Sequence, residues 1–241
     1  MKMNLTRSFV DQEFFLNKKL ILEKASSHHL IKVLRKKESD QIVLFDGKGN
    51  SCLGVISKIH RSEVQLDVID IFEKSLRSGV KISLGQSLIK NDPFNFAIQK
   101  ATELGVTSFY PLITERSELR IKMTRNRNLR WNLIARGACE QCGENWLPVI
   151  EDPVKLDRWA ANIESKFKIV LYPNADNKIS DLKYKDSVSI AIGPEGDFSD
   201  YEVDSLTEKG FIPVSIGKRI LRAETAAISA ISSVRFSAKE F

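Results

Sequence analysis

The sequence predicts an α/β protein in two parts, a small and mainly β unit over residues 1–72 and an α/β domain over residues 73–241. Two observations predict this division. In the first part, several short apolar runs of strand length accompany one short helix, which favours a small β-barrel. In the second part, strand-like and helical runs alternate, which indicates a mostly parallel sheet covered by helices on both faces.

Three strands are predicted in the first part. The run 42–45 is followed by Asp46 and Gly47, a strong turn signal. Two further runs, 52–59 and 64–71, alternate or cluster apolar residues at strand length. These three runs are the strands of the predicted barrel.

A short helix is predicted before these strands. Ser26 or Ser27 is suited to cap its first turn, because a serine hydroxyl accepts hydrogen bonds from free backbone N–H groups there. Its predicted apolar face consists of Leu30, Ile31, Val33 and Leu34.

A charged linker at 73–79 precedes the alternating strands and helices of the second part. Strands are predicted at 80–89, 107–113, 168–172, 187–192 and 211–216. Helices are predicted from Pro93 to Gly105, at 126–142 and 157–165, after Ser199 to about Lys209, and at 223–238. Asn91 or Asp92 is the expected cap of the first of these helices. Ser199 with Glu202 three residues later is a capping-box signature.

The positive charge is concentrated in one segment. Lys and Arg number 37 against 31 Asp and Glu, which gives a net charge of +6 and a pI of about 9.1. Residues 116–136 alone hold seven basic residues and one acidic residue, an excess equal to that of the whole chain. A surface that binds a polyanion needs such an excess, and its affinity should fall steeply with salt. The alternative is a solvated basic loop and helix face.

Several common classes of protein are disfavoured. No apolar run approaches the ~18 residues of a membrane span, and the N-terminal residues lack a secretory signal. Three cysteines favour reduced thiols and a cytoplasmic protein. Cys139 and Cys142 have a metal-like spacing without a second pair, so no metal site is expected, and the two thiols should face different sides of a helix end. A dinucleotide fingerprint, a phosphate loop and a nucleophile elbow are all missing from the sequence.

Two glycine-bearing loops stand out as a candidate site. They follow the predicted strands 187–192 and 211–216, and they read Gly193-Pro194-Glu195-Gly196 and Gly217-Lys218-Arg219-Ile220-Leu221-Arg222. Ligands of open α/β sheets bind beyond the carboxyl ends of the strands, and glycines there let a ligand approach the backbone. Each loop alone could equally be ordinary loop punctuation.

These residues, taken with others in order along the chain, resemble the ribosomal RNA small subunit methyltransferase E family of the SPOUT superfamily. The resemblance runs nearly from end to end. It is carried by His28-His29-Leu30, Val33-Leu34-Arg35, Phe45-Asp46-Gly47-Lys48-Gly49, Gln99 to Val106, Thr114-Glu115-Arg116-Ser117, Ala138, Glu140-Gln141, Ile192 to Gly196, Ile220-Leu221-Arg222 and Glu224-Thr225-Ala226. The combination in this order is highly specific.

The resemblance implies a fold and an activity that the residue pattern alone does not reveal. It implies a PUA-like, RNA-binding β-barrel over residues 1–72, and a SPOUT methyltransferase domain with a C-terminal trefoil knot over residues 73–241. It further implies a homodimer that methylates N3 of a uridine in 16S ribosomal RNA, within the small subunit, from S-adenosyl-L-methionine (SAM). The implied cofactor-binding residues are Tyr172, Pro173, Ile192, Gly193, Pro194, Glu195, Gly196, Ile216, Gly217, Ile220, Leu221 and Arg222.

Further roles follow from the same resemblance and from the chemistry of methyl transfer. Arg222 is the expected catalytic cation, because a positive charge near the uracil oxygens favours the deprotonated imide. Glu195 is expected to balance the sulfonium charge or to orient a loop, and the alternative for it is the cap of a nearby helix. His28, Arg35 and Arg116 are expected substrate contacts. For the adjacent histidines His28 and His29, one buried and one exposed ring is expected.

Three positions depart from the pattern of the family. Asp197 stands where a second glycine is usual, and Ala223 stands where threonine is usual. Glu144 stands where the family usually has arginine. Two other functions remain open: a non-catalytic RNA-binding protein of the same fold, and a SPOUT methyltransferase that acts on another RNA, such as transfer RNA.

Overall fold

The computed structural model of the chain describes residues 5–77, 79–117 and 125–240. These residues form two compact units. The first unit runs to Arg77 and also contains Cys139–Leu147; the second contains the residues after Arg77 up to Ala138 and those from Pro148 onward. The segment Cys139–Leu147 therefore packs with a part of the chain that precedes it by more than 60 residues, an arrangement that the sequence pattern does not indicate.

The first unit contains one five-stranded sheet. Its strands are β1 (Thr6–Phe9), β2 (Lys19–Ile21), β3 (Gln41–Phe45), β4 (Ser51–His60) and β5 (Glu63–Ile71), in the order β1-β3-β4-β5-β2. β1 runs parallel to β3, and the other neighbours are antiparallel. The three predicted strands are confirmed as β3, β4 and β5, whereas β1 and β2 are too short to give a periodic signal. Leu20, Ile42, Leu44, Ile56 and Leu66 lie in the core of the unit.

The predicted cap of the first helix is wrong. The helix α1 spans Lys24–His28 and therefore begins before Ser26 and Ser27. Ser27 is buried and serves another purpose. Its hydroxyl donates to the Leu22 carbonyl and accepts from the Val64 N–H, both at 3.2 Å, and so attaches α1 to β5.

The predicted apolar face of this helix is only partly buried. A π-helical turn, His29–Val33, follows α1 directly. This wider turn changes the angular spacing of the side chains on which the prediction depends. Leu30 is buried and Ile31 packs against the core, whereas Val33 and Leu34 are 60% and 40% exposed.

The second unit is built on a parallel sheet. Its strands are β6 (Lys81–Ser87), β7 (Ser108–Ile113), β8 (Val149–Ile150), β9 (Val154–Lys155), β10 (Phe167–Leu171), β11 (Ser187–Ile192) and β12 (Ile212–Val214). The order is β12-β10-β11-β6-β7-β8, with β9 also pairing with β7, and all these named pairs are parallel. The predicted parallel sheet is thus confirmed, and β8 and β9 are two-residue strands that the sequence does not signal.

Among the described residues, five α-helices follow or precede the strands of this sheet, and all five are predicted. They are α2 (Asn91–Glu103), α3 (Arg125–Cys142), α4 (Leu156–Asn162), α5 (Asp200–Glu208) and α6 (Ala223–Ser237). The last turn of α3 is assigned to the first unit. Within the described ranges, none of the helices combines the length and apolar character that a transmembrane span requires.

Of the two N-terminal helix caps predicted in the second unit, one is confirmed and the other is wrong. Ser199 and Glu202 form the capping box of α5, with Ser199 Oγ accepting from the Glu202 N–H at 3.3 Å. Asn91 and Asp92 instead lie inside the first turn of α2, whose N-cap residue is Lys90. Pro93 permits this earlier start, because the first N–H groups of a helix have no intrahelical partner to lose.

One face of the parallel sheet is closed by α4 and α5, and Trp159 lies at the centre of that core. The indole of Trp159, on α4, is 3% exposed and packs against the ring of Phe211 with 5.4 Å between centroids. Gly85 of β6 makes room for it, because a Cβ at Gly85 would lie 2.7 Å from the Trp159 ring and 2.8 Å from Leu112. A glycine inside this strand therefore sets how closely α4 approaches the sheet.

Gly85→Ala should destabilise the protein. The added methyl group has to displace Trp159 in a close-packed core, and overpacking of this kind costs about 1–3 kcal/mol. Urea unfolding followed by tryptophan fluorescence measures the loss. Gly137→Ala, where a Cβ meets no atom within 4 Å, is the matched control and should not lower stability. Equal stability of the two variants would contradict this packing.

Candidate active site

Three loops of the second unit meet at the carboxyl end of the sheet. β10 pairs in parallel with β11 and with β12, so the three strands end at the same edge. The residues that follow them, together with the start of α6, enclose a cavity of about 110 Å³. The cavity lies where ligands of open α/β sheets bind.

Most of the predicted cofactor-binding residues line this cavity. They are Tyr172, Pro173, Ile192, Gly193, Pro194, Glu195, Ile216, Gly217, Ile220 and Leu221. Gly196 and Arg222 are not among the lining residues. Seven further lining residues are not among the predicted cofactor-binding residues: Leu171, Asp197, Val214, Ser215, Arg219, Ala223 and Ala226. Leu171 and Val214 end their strands, which is a signal that could have identified them.

The loop 193–198 turns sharply and packs on itself. The N–H of Asp197 donates to the Pro194 carbonyl at 3.0 Å. A Cβ at Gly193 would lie 2.8 Å from Asp197 Oδ1 and 3.0 Å from the Phe198 nitrogen, so no side chain fits there without movement of the backbone. Gly193 is thus required by the close approach of two parts of one loop.

Asp197 adopts a backbone conformation that favours glycine. Its φ is +58°, in the left-handed region that Asp and Asn tolerate better than other side chains do. Its Oδ1 accepts from the Phe198 N–H at 2.8 Å. Burial raises the pKa of the Asp197 carboxyl, while the Phe198 N–H and the charge of Arg116 act in the opposite direction. The departure from the usual glycine is therefore compatible with the same loop conformation.

A turn that follows β7 contacts this loop. In the turn 114–117, Ser117 Oγ accepts from the Thr114 N–H at 3.1 Å and donates to the Thr114 carbonyl at 2.8 Å. Arg116 Nη1 donates to the carbonyl of Gly196 at 2.7 Å. The structure thus places Arg116, an expected RNA contact, beside the loop 193–198.

The carboxylate of Glu202 joins the turn 114–117 to the start of α5. Glu202 is buried, and its Oε1 accepts from the Glu115 N–H at 2.9 Å. Its Oε2 accepts from the Ser199 N–H at 3.0 Å. A negative charge at this position also interacts favourably with the N-terminal end of the helix.

Backbone and side-chain hydrogen bonds hold the loops that follow β10 and β12. The Tyr172 N–H donates to the Val214 carbonyl at 3.0 Å. The Tyr172 hydroxyl donates to Asp200 Oδ1 at 2.8 Å, and this bond raises the pKa of Tyr172. Gly217 has a φ of +134°, and a Cβ there would meet no atom within 4 Å. Its glycine is required by the backbone conformation rather than by crowding.

A sequence profile of the RNA methyltransferase domain matches residues 76–235, and one of the RNA methyltransferase PUA domain matches residues 22–69. The chain is 34% identical, over 239 residues, to the ribosomal RNA small subunit methyltransferase E of Buchnera aphidicola subsp. Schizaphis graminum, with 98% of this chain and 97% of that protein covered. The chain belongs to the ribosomal RNA small subunit methyltransferase E family.

Two solved structures similar to this member of the methyltransferase E family contain a methyl donor. A methyltransferase from Legionella pneumophila, in complex with SAM, is 32% identical with a TM-score of 0.93, and the match covers 98% of each chain. A ribosomal RNA small subunit methyltransferase E from Neisseria gonorrhoeae, bound to SAM, is 29% identical with a TM-score of 0.90, and the match covers 97% of this chain and 98% of that one.

Both expected catalytic residues are exposed. Arg222 is the N-cap residue of α6, and its carbonyl accepts from the Ala226 N–H at 2.8 Å. Arg222 does not line the cavity, although its neighbours Leu221 and Ala223 do. Glu195 lines the cavity, and the capping role considered for it is filled at α5 by Ser199.

The expected substrate contacts of the first unit lie on its surface. His28 ends α1 and is exposed, and so is His29, so the expectation of one buried histidine is wrong. The reason is that Ser27 and Leu30 provide the inward-facing positions of this segment. Arg35 is exposed after the π-helical turn, with a φ of +53°.

The segment 139–147 fits neither a metal site nor an exposed basic surface. Cys139 is buried and Cys142 exposed, which confirms that the two thiols face different sides, and burial raises the pKa of Cys139 to about 12. Among the described residues, no group of three or more potential ligands could hold a metal ion. Glu144 Oε1 accepts from the N–H groups of Asn145 and Trp146, at 2.7 and 3.0 Å. Glu144 thus stabilises a turn of the first unit.

The structure describes only part of the basic segment 116–136. Glu118, Arg120 and Lys122 lie outside the described residues. Arg116 contacts the loop 193–198, and Arg130 is exposed on α3.

Substitutions at Asp197 should separate two contributions to the stability of the protein: backbone strain at positive φ and the side-chain hydrogen bond to the Phe198 N–H. Asp197→Ala should lose about 1–3 kcal/mol, because alanine is strained at positive φ and loses the bond to the Phe198 N–H. The free energy of unfolding of Asp197→Asn should be close to that of wild type, because asparagine tolerates this conformation and keeps a hydrogen-bond acceptor. Chemical unfolding measures all variants, with Asp197→Gly as the control for backbone strain alone. An alanine variant as stable as the glycine variant would exclude strain at this position.

Proposed function

We propose that this protein is a SAM-dependent methyltransferase that modifies N3 of a uridine in 16S ribosomal RNA. The observation that carries the proposal is the cavity at the ends of β10, β11 and β12, formed by both glycine-bearing loops. The membership of the chain in the methyltransferase E family supports this assignment, and the two SAM-bound relatives support the identity of the cofactor.

The residues that line the cavity fit the chemistry of SAM. Ile192, Val214, Ile216 and Leu221 provide apolar walls for a flat adenine ring. Gly193 and Gly217 leave backbone groups without a side-chain shield, which suits the polar edge of the base. When bound, SAM supplies a methyl group on a positively charged sulfur, and the carboxylates of Glu195 and Asp197 are the acidic groups of this wall.

Methyl transfer to uridine N3 requires loss of the imide proton and an in-line approach. The main contributions of the protein are alignment and electrostatic stabilisation. Arg222 follows the cavity-lining residue Leu221 directly, so its exposed guanidinium can reach a base placed at the cavity mouth. There it would stabilise the negative charge of the deprotonated uracil. Glu195 would orient the loop 193–198 or balance the sulfonium charge.

Both parts of the chain are proposed to bind RNA. We propose that residues 1–72 form a PUA-like RNA-binding β-barrel and that residues 73–241 form the methyltransferase domain with a trefoil knot. His28 and Arg35 are exposed and available to phosphates, as are the arginines of the segment 116–136 that the structure places at the surface. The same proposal includes a cytoplasmic homodimer that acts on the small subunit, and the 75% exposed Phe236 on α6 supports an intermolecular contact.

Incubation with methyl-labelled SAM and small-subunit ribosomal RNA tests this function. Label should appear in the RNA, and nuclease digestion should place it on a 3-methyluridine. Transfer RNA is the control substrate. Label only in transfer RNA would assign another RNA substrate. Calorimetric binding of SAM without any transfer would indicate a non-catalytic protein, and no binding of SAM at all would overturn the proposal.

Arg222→Ala should reduce the rate of methyl transfer by about 100-fold or more, because it removes the cation proposed to stabilise the uracil anion. SAM affinity should stay close to wild type, because the side chain does not form part of the cavity wall. Single-turnover kinetics and calorimetry give the two quantities. Lys218→Ala removes an exposed charge from the same loop and is the matched control. Equal turnover of the two variants would remove Arg222 from the mechanism.

A further inference from the structure

Arg116 lies at a junction between the proposed RNA surface and the proposed cofactor cavity. It is the first arginine of the basic segment 116–136, and its guanidinium also donates to the Gly196 carbonyl at 2.7 Å. An arginine has five N–H donors, so one bond to a carbonyl leaves others free for a phosphate. Arg116 can therefore contact the loop 193–198 and an RNA phosphate at the same time.

We infer that Arg116 is a positioning residue for the methyl donor, because its guanidinium fixes the peptide unit 196–197 and with it one wall of the cavity. This inference rests on the proposed function, since the ligand of the cavity is taken to be SAM.

The peptide unit between Gly196 and Asp197 has both of its polar groups bonded. Its carbonyl accepts from Arg116, and its N–H donates to the Pro194 carbonyl at 3.0 Å. A peptide unit is planar, so these two bonds restrain the rotation of the whole unit. Rotation would also change φ of Asp197, which already has the unfavourable value of +58°.

The restrained peptide unit sets the shape of the cavity. Asp197 and Gly193 both line it, and they approach so closely that a Cβ on Gly193 would lie 2.8 Å from Asp197 Oδ1. A shift of the 196–197 unit therefore moves two wall residues together. The binding geometry of a ligand in this cavity depends on Arg116 even though Arg116 does not line it.

The turn 114–117, which carries Arg116, is itself held by several hydrogen bonds. Ser117 and Thr114 close the turn 114–117 by two side-chain bonds. The Glu115 N–H is bonded to the buried carboxylate of Glu202, at 2.9 Å. Arg116 is thus held in place on both sides along the chain, as a residue that positions another segment must be.

The test compares Arg116→Ala with Arg130→Ala and with Arg116→Lys. Both alanine variants remove one positive charge from the basic segment, but Arg130 lies on α3 and does not contact the loop 193–198 in the described structure. Calorimetric titration with SAM in the absence of RNA is the first measurement. Arg116→Ala should bind SAM about tenfold more weakly, while Arg130→Ala binds it as wild type does. Arg116→Lys keeps one donor and should recover part of the loss.

Hydrogen exchange and kinetics provide readouts that a simple RNA contact would not change. In the free protein, the amides of residues 195–198 should exchange faster in Arg116→Ala than in wild type or in Arg130→Ala. In methyl transfer assays, the KM for SAM should rise in Arg116→Ala and stay close to wild type in Arg130→Ala. Thermal unfolding of each variant separates these local effects from a loss of the whole fold.

Unchanged SAM affinity of Arg116→Ala without RNA, together with weakened RNA binding, would overturn the inference and leave Arg116 as an RNA contact alone. Unchanged exchange at 195–198 would overturn it as well. A wild-type protein that does not bind SAM would instead contradict the proposed function, so the two failures can be distinguished.

Discussion

β10 pairs in parallel with β11 on one side and with β12 on the other. This pairing requires that the chain leave all three strands at the same edge, although the strands are separated by long stretches of sequence. The loops that follow them can then meet in one cavity, with Tyr172, Gly193 and Gly217 contributed by three different strand ends. Antiparallel pairing of any one strand would place its loop at the opposite edge.

The pairing brings the loops together, but it does not fix their conformation. The buried carboxylate of Glu202 does part of this, because it bonds the N–H groups of Glu115 and Ser199 at once. Arg116 adds a second connection from the same turn to Gly196. The loop 193–198 is therefore attached to β7 as well as to its own strand, β11, and its shape depends on residues about 80 positions earlier in the chain.

Patterns that are local in sequence predict the fold well. The strand Ser187–Ile192 is predicted at its bounds, because β-branched residues alternate along it and Gly193 follows it. The capping box of α5 is equally local, since its two residues lie three positions apart. Helix starts are predicted less well. The N-cap residues of α1 and α2 are Glu23 and Lys90, and neither makes a side-chain cap bond, so the predicted caps lie inside the helices.

The site is predicted only where its residues follow strands. The two glycine-bearing loops identify seven of the cavity-lining residues, whereas Tyr172 and Pro173 are predicted from the family resemblance alone. Ala223 and Ala226 give no such signal, since alanine is common on any packed helix. The sequence reveals that Arg116 is basic, and this predicts an RNA contact. It does not reveal the contact of Arg116 with Gly196, because the two residues are 80 positions apart. A contact of this kind depends on tertiary structure and has no periodic trace in the sequence.

Two of the three departures expected from the family resemblance, Asp197 and Glu144, serve the local backbone. Asp197 replaces a glycine at a positive φ, and aspartate tolerates that conformation while its carboxylate bonds the next N–H. Glu144 replaces an arginine and accepts from two successive N–H groups of a turn. In each case the substituted carboxylate satisfies local backbone donors. Each carboxylate therefore stabilises the local chain path while it adds a negative charge, and the loop that contains Asp197 forms part of the cavity wall.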